Sequence, residues 1–119
     1  MEHVELLKYG RHFRISEKAK LVVGRDQDEN EALMKLCLPN DYVFTPLRVA
    51  GPTAIGRGVF DAEALKVCAA IVARYCDRQT PQVEVAYTIF PESEGTVLSV
   101  APLDESRLAQ AHITGTGRT

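Results

Sequence analysis

The chain has no tryptophan, and its eight aromatic residues, four Tyr and four Phe, make up 7% of 119 positions. Little ring surface is therefore left for stacking on bases, and recognition by an aromatic platform is not expected. The three cysteines, Cys37, Cys68 and Cys76, are an odd count with no CxxC pair. That fits reduced thiols better than a disulfide framework. His3, His12 and His112 are far apart, and with the cysteines they give no metal-ligand spacing, so no metal is expected. No apolar run approaches the roughly 20 residues of a membrane helix. The opening MEHVELLKYG lacks a charged-then-apolar leader pattern, so a cytoplasmic protein with no membrane partner is expected.

Phosphate loops are missing too. In VGRDQDENE a single Gly24 precedes a helix start rich in carboxylates, which would repel a phosphate. Neither the P-loop nor the dinucleotide glycine pattern is present. No Ser, His and acid set stands out. A catalytic site or a cofactor is therefore not expected in this chain alone. An enzyme reading would have to use Cys76 or His12, with a partner group lowering the thiol's pKa.

What the chain does have is ordinary globular composition, 45% apolar and 25% charged, with a net charge of −2. A single domain over residues 1–119 is expected, with a flexible tail from about residue 114. The charge is uneven. Between residues 8 and 25, Lys8, Arg11, Arg14, Lys18, Lys20 and Arg25 face Glu17 alone, a local balance of +5. Such asymmetry can mark an anion-facing patch; a solvated basic surface is the plainer reading and is weighted ahead of it.

Residues 3–8 and 11–15 read as strands around Tyr9-Gly10, and LVV at 21–23 as a central strand. A helix follows, with Asp26 and Glu29 as a capping pair. YVF at 42–44 is a strand, after which Thr45-Pro46 begins a loop and AGPTAIGRG supplies a tight turn. Asp61 caps the longest helix, whose stripe is Leu65, Cys68, Ile71, Val72 and Tyr75. QVEVAYTIF and TVLSV form the last strand pair, and a short helix is expected after Leu103. The fold class is α+β: a mixed, mostly antiparallel sheet with two main helices packed on it.

Candidate contacts follow. Arg25 either reaches an anion or pairs with Asp26 or Asp28. The amides of AGPTAIGRG with Arg57 either meet a phosphate or only join a strand to a helix. Asn30, an amide where helices disfavour one, either ties down a nearby backbone segment or faces solvent.

These same stretches, KLVVGRDQDENEAL, DYVF, GPTAI, a helix ending in ARY, and VEVAYT, resemble the NFACT-R domain in order, over about residues 6 to 101. The start LLKYGRHFRIS is similar to the C-terminal domain of PP-loop ATPase proteins that resemble tRNA thiolation enzymes. The resemblance implies an RNA-binding accessory domain, with tRNA as partner. It also implies a PP-loop ATPase domain or chain as the catalytic, thiouridylase-like companion. The implied RNA contacts are Arg11, His12, Arg14, Lys20, Arg25 and Arg57; Gly24, Asn30, Gly51 and Pro52 would position the loops. The sequence departs from the family at Asp26, at Tyr42-Val43-Phe44-Thr45, at Thr53-Ala54 and in the acidic IFPESEGTV. Those departures point away from quality control of stalled ribosomes. Recognition of RNA shape and backbone is expected. The alternative is a protein-interaction module presenting Glu84, Glu92, Glu94, Asp104 and Glu105 to a catalytic partner.

Overall fold

The computed structural model describes residues 10–77, 81–92, 95–104 and 106, and the backbone of 112–113. In chain order the elements are β1 (Arg11–Ser16), β2 (Ala19–Val23), α1 (Gln27–Lys35), β3 (Tyr42–Leu47), β4 (Ala54–Gly58), α2 (Ala62–Arg74), β5 (Val83–Ile89), β6 (Gly95–Val100) and β7 (His112–Ile113). The strands form one sheet in the order β6-β5-β3-β4-β2-β1-β7. Every described ladder is antiparallel. The α+β class and the antiparallel sheet agree with the sequence reading. The strand expected at residues 3–8, the helix after Leu103 and the tail from 114 lie outside the described residues.

The uninterrupted hydrophobicity of β2 is explained by two cores, one on each face of the sheet. Leu21 and Val23 join Phe13, Phe44 and Ala54 in a cluster with Cys68, Ile71 and Val72 of α2. Val22, between them, points the other way and joins Val43, Ile55, Leu33 and Cys37 in a second cluster. Side chains alternate along a strand, so a strand buried on both faces must be apolar throughout. The helix starts follow their caps. The Glu29 N–H donates to Asp26 Oδ1 at 2.9 Å, and the Ala64 N–H donates to Asp61 Oδ1 at 2.8 Å.

Two boundaries differ from expectation. AIGRG is no loop: Ala54–Gly58 is the strand that joins β2 to β3. Its two glycines made it look irregular, yet Gly56 answers to packing. A Cβ there would come within 2.9 Å of the Phe60 ring and 3.2 Å of the Phe44 ring. β3 also runs on through Pro46 to Leu47. A proline fits because β4 pairs only with Tyr42, Val43 and Phe44, whereas β5 continues along the strand to Leu47. Beyond Phe44 one side of β3 has no ladder to break.

Among the described residues no helix is long and apolar enough to cross a membrane.

Candidate nucleic-acid interface

β2 ends at a turn whose first residue, Gly24, sits against α1. Its N–H donates to the Thr53 carbonyl at 3.0 Å. The Thr53 N–H donates in return to Asn30 Oδ1 at 3.2 Å. These two bonds fasten the β2–α1 turn to the loop ahead of β4. They also decide between the two readings of Asn30: its amide leaves the helix to hold a foreign backbone segment. Gly24 is glycine for the same reason, since a Cβ there would overlap Asn30 Oδ1. The loop's other end is seated on the end of α2. The Asp77 N–H donates to the Ala50 carbonyl at 2.8 Å. A Cβ on Gly51 would come within 2.5 Å of Cys76 Sγ and 3.0 Å of Pro46 Cγ, so the loop approaches this closely only with glycine there.

The fastened loops wall an open cleft of about 430 Å³. Arg11, Gly24, Arg25, Asn30, Gly51 and Pro52 all line it, together with Tyr75 and Asp77. Six of the ten positions singled out in the sequence therefore converge, although they are spread from residue 11 to residue 52. The Arg11 guanidinium lies over the Tyr75 ring, 4.5 Å from its centroid, in a cation–π contact.

Arg25 is half exposed and bound to Glu29, not to Asp26 or Asp28. Its Nη2 meets Glu29 Oε2 at 2.6 Å and its Nε meets Oε1 at 2.9 Å. Asp26 is committed to the helix cap, and residues four apart at a helix start face one another. The Glu29 carboxylate also accepts the Arg25 N–H at 2.9 Å. The bonds to Arg25 hold its pKa at about 2, with a backbone bond from Gly10 adding to the effect. The Arg25 pKa rises in turn, first through its hydrogen bond to Glu29.

Four candidate contacts lie elsewhere. Arg57 does not face solvent. Its Nε and Nη2 donate to Asp41 at 2.9 and 2.6 Å, and Nη2 also donates to the Leu36 carbonyl at 3.2 Å. The side chains of Arg57 and Asp41 are only 13% and 4% exposed, so Arg57 closes the end of α1 from within and offers no phosphate contact. His12, Arg14 and Lys20 lie on the opposite face of the sheet from Arg11. His12 pairs with Val22 and Arg14 with Lys20, and cross-strand partners share a face. The basic run is thus split by the period of the strand.

Tyr75 and Asp77 were missed as site residues because Tyr75 fits the buried stripe of α2 and Asp77 reads as a helix stop. The Asp41–Arg57 pair carried no local signal, its members being 16 residues apart.

Two of the thiols, Cys37 and Cys68, are poor nucleophiles. Burial pushes Cys37 up to about 11 and raises Cys68 further. Cys76 is buried and donates to the Val72 carbonyl at 3.2 Å. Among the described residues no group of three or more His, Cys, Asp and Glu could hold a metal ion.

A family model described as the NFACT protein RNA binding domain matches residues 10–113. No curated protein matches the chain. Among solved structures, the C-terminal part of the fibronectin/fibrinogen-binding protein from Streptococcus suis aligns with a TM-score of 0.76 at 17% identity. The alignment covers 88% of this chain and 49% of that one, so the chain spans about half the length of that solved protein. At this identity the likeness establishes a shared fold.

Proposed function

Since the chain belongs to the NFACT RNA-binding-domain family, we propose that it binds RNA through the cleft between the Gly24 turn and the Gly51-Pro52 loop. The observation that carries the proposal is the convergence there of Arg11, Gly24, Arg25, Asn30, Gly51 and Pro52. Arg11 and Arg25 supply positive charge to phosphates, and the Gly24–Thr53–Asn30 bonds keep the cleft in shape before RNA arrives. Ready-made geometry lowers the ordering cost of binding. Glu29 sets the affinity, because an incoming phosphate shares Arg25 with it. Arg14 and Lys20, on the other face with His12, contribute long-range attraction.

The RNA is a tRNA, and the domain is a non-catalytic, substrate-holding part of a cytoplasmic tRNA-modifying system. A separate PP-loop ATPase domain or chain performs the sulfur transfer. This narrower assignment rests on the resemblance of KYGRHFRIS and GPTAI, and on the high thiol pKa values of Cys37 and Cys68.

The test is a titration of the isotope-labelled chain with bulk tRNA at low salt, followed by backbone amide shifts. Shifts at Arg11, Gly24, Asn30 and Thr53 that fade with salt support the reading. The salt slope should fall by about 0.7–0.9 for each phosphate contact removed by Arg11→Ala or Arg25→Ala. A titration that leaves these amides still while the chain stays folded refutes it.

One observation favours the docking reading. β6 is one of the two outer strands of the described sheet, and Val97 on it is 52% exposed. Co-purification with a PP-loop protein that survives Arg11→Ala but not Val97→Asp would support docking there.

A further inference from the structure

Resting on the RNA reading, we infer that the cleft holds a single unpaired nucleotide of an RNA strand, with guanine as the preferred base. Its guanine stacks on Arg11 and donates to Asp77, and its phosphate meets Arg25.

Size comes first. A space of about 430 Å³ falls in the range of small-molecule pockets and is no trough for a duplex. The charge pattern agrees. A groove that follows a phosphate backbone needs a continuous basic stripe. Here strand alternation puts Arg14 and Lys20 on the far face, and Arg57 is spent on Asp41. The cleft itself mixes signs: Arg11 and Arg25 share its wall with the carboxylates of Asp26 and Asp77. Bare phosphates would be repelled by those carboxylates. A nucleotide has both kinds of partner, an anionic phosphate and a base edge with N–H donors.

The walls divide the work. Tyr75 is held against Phe13, the two rings tilted at 48° with centroids 6.2 Å apart, and the Arg11 guanidinium lies 4.5 Å from the Tyr75 centroid. Arg11 lines the cleft and is seated on Tyr75, which positions its guanidinium beside the space, and guanidinium groups stack on unpaired bases. Asp26 gives Oδ1 to the Glu29 N–H as a helix cap. Asp77 uses its backbone N–H on Ala50, and its residue is exposed at the rim. It is therefore the acceptor for a base edge. Only guanine among the four bases places two adjacent N–H donors, N1–H and the 2-amino group, on its Watson–Crick edge. A carboxylate accepts both at once. In a duplex that edge is paired, so the site selects single-stranded RNA, ends or bulges.

The experiment uses the full chain and three short RNAs at one salt concentration: a uridine strand, the same strand with one central guanosine, and that strand annealed to its complement. Free GMP is a fourth ligand. The guanosine strand should bind about tenfold tighter than the uridine strand, the scale of one good base contact. It should bind more tightly than the duplex by at least as much. Asp77→Asn should remove the preference for guanosine without weakening the uridine strand, which should bind as well or slightly better once a carboxylate that repels phosphate is gone. Arg11→Lys, which keeps charge but loses the plane, should weaken both single strands. GMP should shift the same amides, Gly24, Asn30 and Thr53, but bind more weakly than the strand.

Equal affinity for duplex and single strand overturns the inference, as does a guanosine preference that survives Asp77→Asn. GMP binding as tight as the strand overturns the assignment to RNA. If RNA shifts the cleft amides without any base preference, the inference fails and the RNA reading stands. If no RNA shifts them, both fail.

Discussion

Removing the carboxylate of Asp41 is the perturbation with the most calculable effect. It breaks two bonds from Arg57, at 2.9 and 2.6 Å, and a third from the Leu38 N–H at 2.8 Å. The guanidinium would then stay in a site where it is 13% exposed, with its main counter-charge gone. Breaking a buried pair by deleting one partner costs about 3–5 kcal/mol, because the remaining charge is uncompensated. Asp41→Ala should therefore lose about 3–5 kcal/mol. At a urea slope of about 2 kcal/mol per molar, the midpoint falls by roughly 2 M. Arg57→Ala should cost about as much, for the same reason with the charges reversed. Replacing both at once, Asp41→Leu with Arg57→Met, leaves no orphan charge and should cost about 1 kcal/mol or less. Urea denaturation followed by far-UV dichroism reads all four proteins. RNA binding by whatever folded Arg57→Ala protein remains should match the parent. A loss below 1 kcal/mol together with about tenfold weaker RNA binding would refute the reasoning, since Arg57 would then be reaching outward.

The other predictions concern the clamp, its charge and the thiols. Asn30→Ala should cost about 1–2 kcal/mol and speed amide exchange at Thr53, because a part-buried N–H loses its acceptor; unchanged exchange at Thr53 would sink the clamp. Glu29 has a folded pKa of about 2, below its ordinary 4.5. Its stabilising contribution is thus complete above about pH 4.5 and disappears as pH falls through 2. A carboxyl NMR titration with a midpoint near 4 would contradict the Arg25–Glu29 geometry. Cys37, with its thiol raised to about 11, should react with a disulfide reagent about a hundredfold more slowly than a free thiol at the same pH. Labelling at the free-thiol rate would show that burial is wrong.

Local signals in the sequence reached far but unevenly. Asp26 and Asp61 announced their helices because a cap acts within three residues. Asn30 stood out as an amide in a helix, and that misfit suggested a tie to a backbone segment, but its partner, Thr53, is 23 residues away and is set by the fold. The division of the basic run was also present in principle, since Arg11 and Arg14 are an odd number of residues apart on a strand. Grouping them by proximity ignored the alternation. The role of Arg57 could not be read locally, because Asp41 becomes its neighbour only when β4 lies beside β3. AIGRG failed as a strand for a similar reason. Its Gly56 is set by the rings of Phe44 and Phe60, and neither belongs to the local pattern.

The bond between Asn30 and Thr53 spans 23 residues and depends on how the sheet is assembled. The β1–β2 and β5–β6 pairs close over short loops, which is entropically cheap. Thr53 meets Gly24 and Asn30 only after β4 has settled against β2, a pairing that must enclose α1 and β3. Contacts of this kind form late, so the cleft exists only in a finished domain. A chain emerging from the ribosome would carry its arginines long before it could use them. On the proposed reading of the cleft, the same bond would time RNA binding to the completion of folding.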